Sequence, residues 1–231
     1  MTTTTVSYRP YQPEDAEAVK SIIDEAFHIH RYARAPRLHT AAIDAYLREV
    51  LLESTYARVA EQDGRVIGIL AGRVEGRPRL PGRLGNHLRV VGDMLCLLLT
   101  GFPERRTLRY YSQFERIYAR LHASVREPLS NEVTVFAVDA SARGLGVGSA
   151  LFRDYMAHLR AHDRTGFYLY TDSLCTYQFY ERKGMVRAAE EDMALRVEGL
   201  PGAVEVYLYT GRVPEQTLST KIGRASCRER V

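Results

Sequence analysis

The residues with the plainest chemical meaning run from Arg143 to Ser149, as Arg-Gly-Leu-Gly-Val-Gly-Ser, soon after the apolar stretch Val133-Thr134-Val135-Phe136-Ala137-Val138. Apolar content this continuous predicts a strand buried on both faces. Residues 149–162 read as a helix, with Leu151, Tyr155 and Leu159 on one stripe and Phe152 and Met156 beside it. A strand that feeds a glycine-rich turn and then a helix leaves backbone N–H groups unbonded at the helix's positive end. Glycine lets an anion approach them closely, so the arrangement suits phosphate. Arg143 adds a charge-assisted contact. The expected ligand carries a pyrophosphate or its equivalent.

Three ligand classes compete for such a turn. A Walker loop needs Gly-Lys-Ser/Thr, which is absent. A dinucleotide site is a serious rival, because Asp172 stands near the end of the following strand, about where a ribose-binding acid would sit. Against it, the five residues Asp139 to Arg143 separate the strand from the glycines, and Ser149 replaces the third glycine. A glycine turn that holds no ligand is the bland reading.

A second segment, Phe179-Tyr180-Glu181-Arg182-Lys183-Gly184-Met185, completes a pattern. Arg143-x-x-Gly146-x-Gly148 after a strand ending Val138-Asp139 resembles the coenzyme A pyrophosphate motif of the GNAT superfamily of N-acetyltransferases. The second segment resembles that family's other signature, a helix ending in aromatic-Tyr-Glu-x-x-Gly-apolar. The resemblance spans roughly residues 6–209. It implies an α/β (α+β) fold with a mixed, mostly antiparallel twisted sheet, flanked by helices and splayed between its two central parallel strands. It also implies acetyl-CoA as cosubstrate. Backbone groups of Phe136 and Val138 would bond the pantetheine arm, and the Val138 amide would polarise the thioester carbonyl. Gly144, Leu145, Gly146, Val147, Gly148 and Ser149, with Arg143, would hold the pyrophosphate. Ser173 stands where many relatives have an asparagine that contacts the arm. Tyr180 would protonate the departing thiolate. The function implied is acetyl transfer to a primary amine of a small molecule or protein, with a catalytically inactive acyl-CoA-binding regulatory module as the alternative.

An attacking amine must be neutral, whereas a lysine-like amine has a pKa of about 10.4. Some base must therefore take its proton, through water if need be. Glu132 opens the central strand and is the candidate; a solvated carboxylate at a strand end is its other reading.

These groups need a frame. Residues 6–9 read as a first strand, and Pro13, Glu14 and Asp15 supply helix-start chemistry. Ala16, Val19, Ile22, Ile23, Ala26 and Phe27 then follow at helical spacing. A second helix is expected over 40–52, with Ile43, Leu47, Val50 and Leu51 inward. Strands 56–61 and 65–74 flank the hairpin turn Asp63-Gly64. Downstream come strand 167–171, a short helix 176–182 stopped by Gly184, and strands 193–197 and 204–209. Residues 75–130 depart from the family pattern as an enlarged connection with two helices, near 86–99 and 104–125. The second carries Leu108, Tyr111, Phe114, Ile117, Tyr118 and Leu121. A plain core helix is the commoner meaning of that stripe, and an acceptor-site lid or a dimer surface also fits.

The chain has 231 residues and a formal net charge of +4. Residues 222–231 lack apolar periodicity and resemble the translation of a sequencing adapter, so they are set aside as a non-native tail. Without its three Arg and one Glu the charge is +2, too weak a bias to suggest nucleic acid. Residues 1–221 read as a single domain. Cys96 and Cys175 lie in no metal-ligand spacing, and His158 and His162 share a helix face as surface residues without further ligands, so no metal is expected. The polar N-terminus shows no signal peptide, and the apolar stretch 95–99 is too short to span a bilayer. The expectation is a cytoplasmic protein whose partner is an amine, with no nucleic acid or membrane and a homodimer left open.

Overall fold

The structure is a computed structural model that describes residues 5–80, 105–195, 197 and 199–214, with backbone alone for 105–108. The helix expected near 86–99 and the tail 222–231 lie outside the described residues. Among the described residues seven strands are formed: β1 Val6–Pro10, β2 Tyr56–Gln62, β3 Arg65–Arg73, β4 Glu132–Val138, β5 Gly166–Asp172, β6 Val186–Ala194 and β7 Ala203–Arg212. They make one sheet in the order β1-β2-β3-β4-β5-β7-β6. Neighbours run antiparallel except β4 and β5, which are parallel. The helices are α1 Ala16–Phe27, α2 Ile29–Tyr32, α3 Pro36–Glu53, α4 Arg105–Ser124, α5 Val147–Arg160 and α6 Gln178–Arg182. Among the described residues no helix is long and apolar enough to cross a membrane.

Helices cover both faces of the sheet, as the apolar strands require. Val19, Ile22 and Ile23 of α1 and Ile43, Leu47 and Val50 of α3 pack on Val59, Val66, Ile69, Val135 and Ala137. On the other face Leu151, Tyr155 and Leu159 of α5 are fully buried against Leu70, Val133, Phe167 and Tyr209. Asp63 and Gly64 turn the hairpin with φ of 52° and 76°, a left-handed pair that suits the twist of the two strands. Ile117 and Leu121 of α4 are buried against Tyr168, Met193, Val204, Val206 and Leu208, so one face of this helix is core.

The structure moves several expected boundaries. β6 starts at Val186 instead of 193, because it is an edge strand along which Met193 alone is fully buried, and no apolar alternation announces it. α5 starts at Val147 because Gly146, at φ 79°, is itself the N-cap. α3 starts at Pro36, whose fixed φ suits a first turn, ahead of the apolar stripe that predicts the helix. Asp15 does more than face a helix dipole: it is buried, held by Arg9 at 2.7 and 2.8 Å, and accepts the Gln12 N–H at 2.8 Å. His158 and His162 are half-buried rather than on the surface, and the His158 ring lies 4.5 Å from that of Tyr56. Burial, with the neighbouring His162, pushes His158 down to about 4.

Candidate functional site

β4 and β5 are joined at their beginnings and then part. Tyr168 N–H donates to the Asn131 carbonyl at 2.8 Å, and Glu132 opposite Tyr168 is their parallel pair. Beyond it β4 stays with β3 and β5 with β7. Ladder parity says which backbone groups face the opening. Asp139 N–H donates to Ile67 at 2.9 Å, so Val135 and Ala137 also bond β3, while the N–H and C=O of Phe136 and Val138 point into the gap. On the other side Val213 N–H donates to Thr165 at 2.8 Å and Ser173 N–H to Glu205 at 2.9 Å. Leu169 and Thr171 therefore bond β7, and the backbone of Tyr170 and Asp172 faces the gap.

A bulge assists the parting. The β3–β4 register slips between Ala71 and Gly72, leaving Thr134 without an opposite number. Val133 packs toward α5, yet Val135, two residues on, packs toward α1 and α3. Such a bulge bends its strand. The strand is accordingly not buried evenly on both faces: Thr134, Phe136 and Val138 are half-buried and border a cavity.

The glycine turn sits at the far end of β4. Asp139 Oδ1 accepts the Ser141 N–H at 2.9 Å and starts the bend. Gly144 and Gly146 have φ of 81° and 79°, and a Cβ on either would meet nothing within 4 Å. A Cβ on Gly148 would lie 3.2 Å from the Phe136 ring, so glycine there lets α5 approach β4. Ala150 N–H makes the first helical bond, to Gly146 at 3.0 Å, and the N–H groups of Val147, Gly148 and Ser149 precede any helical acceptor. Leu145 does not join them: its side chain is 62% exposed and its N–H donates to Ala142 at 3.4 Å.

A cavity of about 1450 Å³ fills the gap and extends between α3 and α4. Arg143, His28, Arg182 and Lys183 line its glycine end. Tyr180 lies in its wall, 9% exposed, with ring centroids of Phe179, Tyr209 and Phe136 at 5.6, 5.8 and 6.4 Å. Burial pushes the Tyr180 phenol above its ordinary value. Ser173 is not brought to the cavity, because its hydroxyl accepts the Glu205 N–H at 3.1 Å and points toward β7. Asp172 does line it, and its carboxylate accepts the Leu174 and Cys175 N–H groups at 2.8 and 3.2 Å.

Glu132 is no solvated strand end. Arg73 Nη2 lies 2.7 Å from Glu132 Oε2 and also donates to Tyr168 Oη at 2.7 Å, while Tyr168 donates to the same carboxylate at 3.0 Å. Burial raises the Glu132 carboxyl, with Arg73 and Tyr168 pulling it back. The Tyr168 phenol is pushed up to about 12 by burial and by Glu132. Tyr155 Oη donates to the Glu132 carbonyl at 2.9 Å and fixes the backbone beneath. Sequence reading gave no catalytic or cofactor-binding role to Arg73, Tyr168, Arg182 or Lys183. Arg73 was legible once the strands were paired, since it stands directly opposite Glu132.

A mixed sheet that opens between two parallel central strands, with a glycine turn at the mouth, is the fold of the GNAT acetyltransferases, and this chain has it. The solved structure named SsHAT matches over 91% of this chain and 100% of its own, at 20% identity and a TM-score of 0.57. Ard1 from Thermoplasma volcanium matches over 91% and 99%, at 16% identity and a TM-score of 0.50. An N-acetyltransferase from Staphylococcus aureus Mu50 does so over 91% and 99%, at 14% identity and 0.50. No protein-family model and no curated sequence matches the chain.

Proposed function

We propose that this chain transfers an acetyl group from acetyl-CoA to a primary amine. The observation that carries the reading is the opening between β4 and β5, edged by unbonded backbone groups, with glycine-turn amides at one end and Tyr180 and Glu132 on its walls. The N–H groups of Gly144, Gly146, Val147, Gly148 and Ser149, with Arg143, suit a pyrophosphate. The Phe136 and Val138 backbone suits the amide-bearing pantetheine arm, so the residues present fit the cosubstrate. The solved neighbour named N-acetyltransferase agrees with this reaction class. Acetyl-CoA supplies an acyl thioester when bound.

The chain's own groups then divide the work. Val138 N–H donates to the thioester oxygen as negative charge develops there. Glu132 takes the amine proton through intervening water, because six residues of strand separate it from Val138. Its raised proton affinity makes it a stronger base than an exposed carboxylate. The nitrogen bonds the acetyl carbon, the C–S bond breaks, and Tyr180 gives its proton to sulfur. An ordinary phenol protonates an ordinary thiolate uphill by about 2 kcal/mol, and burial of Tyr180 steepens that climb. Proton transfer therefore accompanies C–S cleavage.

Thiol release from acetyl-CoA across a panel of primary amines tests the proposal, with amine-dependent release expected. Tight acetyl-CoA binding with no turnover on any amine would favour the acyl-CoA-binding module. A thermal shift with NAD and none with acetyl-CoA would refute both.

A further inference from the structure

The two ends of the cavity differ in net sign, with Arg143, Arg182 and Lys183 outnumbering Asp172 at one and Glu49, Glu53, Glu115 and Glu132 outnumbering Arg73 at the other. β4 separates them by seven residues, about 20 Å at strand spacing. Away from the cationic glycine end, Glu49 of α3 and Glu115 of α4 line the cavity. Among the described residues neither forms an ion pair with Arg or Lys, whereas Glu53 and Glu132 share Arg73. Tyr111 donates to Glu49 at 2.6 Å, and the charges of Glu49 and Glu132 both act on Glu115. Carboxylates gathered round one cavity repel, and a cation relieves that cost.

Rings cover the same walls. Phe114 and Tyr118 come from α4, and Tyr170 stacks on Tyr118 with centroids 4.4 Å apart. Aromatic faces attract organic cations and cover their methylenes. An acceptor that carries a carboxylate or phosphate meets like charge here.

Building on the proposed acetyl transfer, we infer that the acceptor is an aliphatic diamine, with its second, protonated nitrogen held by Glu49 and Glu115 among these rings while the first reaches the acetyl carbon. The first nitrogen passes a proton through water toward Glu132 and forms the C–N bond as the C–S bond breaks, and Tyr180 protonates the departing sulfur. The second stays protonated, so the products are a monoacetylated monocation and free thiol.

Butylamine, 1,4-diaminobutane and 4-aminobutanoate share one chain and differ at its second end. Calorimetric binding and kcat/KM should favour 1,4-diaminobutane over butylamine by about tenfold or more, with 4-aminobutanoate poorest. The double variant Glu49→Gln, Glu115→Gln preserves shape and the acceptor for Tyr111. It should bring the diamine-to-butylamine ratio near one and leave acetyl-CoA affinity unchanged. Equal handling of both amines by the wild type, or a preference that survives in the double variant, overturns the inference. Thiol release without diamine preference sinks this inference alone. Diamine binding that the double variant abolishes, with no thiol release from any amine, upholds the diamine site and overturns acetyl transfer.

Discussion

Burial raises the proton affinity of both Tyr180 and Glu132, with different consequences for each. For Tyr180 it keeps the phenol protonated until sulfur departs. Tyr180→Phe should therefore lower kcat about 10²-fold, the usual size of a lost general acid. Acetyl-CoA affinity should hold, because the ring and its packing remain; steady-state kinetics with calorimetry separates the two, and an unchanged kcat would rule out the acid role. Glu132 must be ionised to act, so its raised pKa sets the acid limb of kcat/KM above the ordinary carboxylate range. Arg73 opposes that rise. Arg73→Met removes the opposing charge and should shift the limb to higher pH, while Arg73→Lys should keep it near wild type. A limb that stays put in Arg73→Met would exclude Glu132 as the base. The candidate pair was legible from residue type and motif, but Arg73 and Tyr168 were not, because nothing local marks them.

At the scale of elements, two glycines act by different means. Gly146 caps α5 at positive φ and faces open space. Gly146→Glu combines backbone strain, bulk and negative charge where a pyrophosphate is proposed, so acetyl-CoA binding should be lost in calorimetry; unchanged affinity would misplace the phosphate. Gly72 instead makes room for a neighbour: a Cβ there would lie 2.6 Å from the Tyr155 ring. Gly72→Ala should destabilise by about 1–3 kcal/mol in urea unfolding, because a fully buried ring must move. The glycine turn was readable because its spacing is local. The bulge at Thr134 was not, since it exists only relative to β3. The first part of the edge strand β6, from Val186 to Asp192, was missed for the same reason that it is an edge, having little apolar surface to bury.

For the whole molecule, the parting of β4 from β5 is the feature that turns a sheet into a site. Amide exchange should reveal it directly. Phe136, Val138 and Tyr170 N–H groups face the gap, so without ligand they should exchange at least about tenfold faster than Val135, Ala137, Leu169 and Thr171 beside them. Acetyl-CoA should slow Phe136 and Val138; uniform protection in the unliganded protein would contradict the opening. α4 shows the same joining of roles, because Ile117 and Leu121 face the core while Tyr111, Phe114 and Glu115 face the cavity. Its apolar stripe alone could not separate a core helix from an acceptor wall.

The amino-acid order by itself determined the hairpin, the inner faces of α1, α3 and α5, the glycine turn and the segment that ends α6. Each depends on residues within a turn or two of one another, where backbone geometry and apolar spacing suffice. Tertiary structure alone decided that Arg73 and Tyr168 hold Glu132, across 59 and 36 residues of chain. It likewise turned Ser173 toward β7 and gave the cavity ends opposite net sign. Strand pairing and helix docking bring those groups together, and neither is written in local spacing.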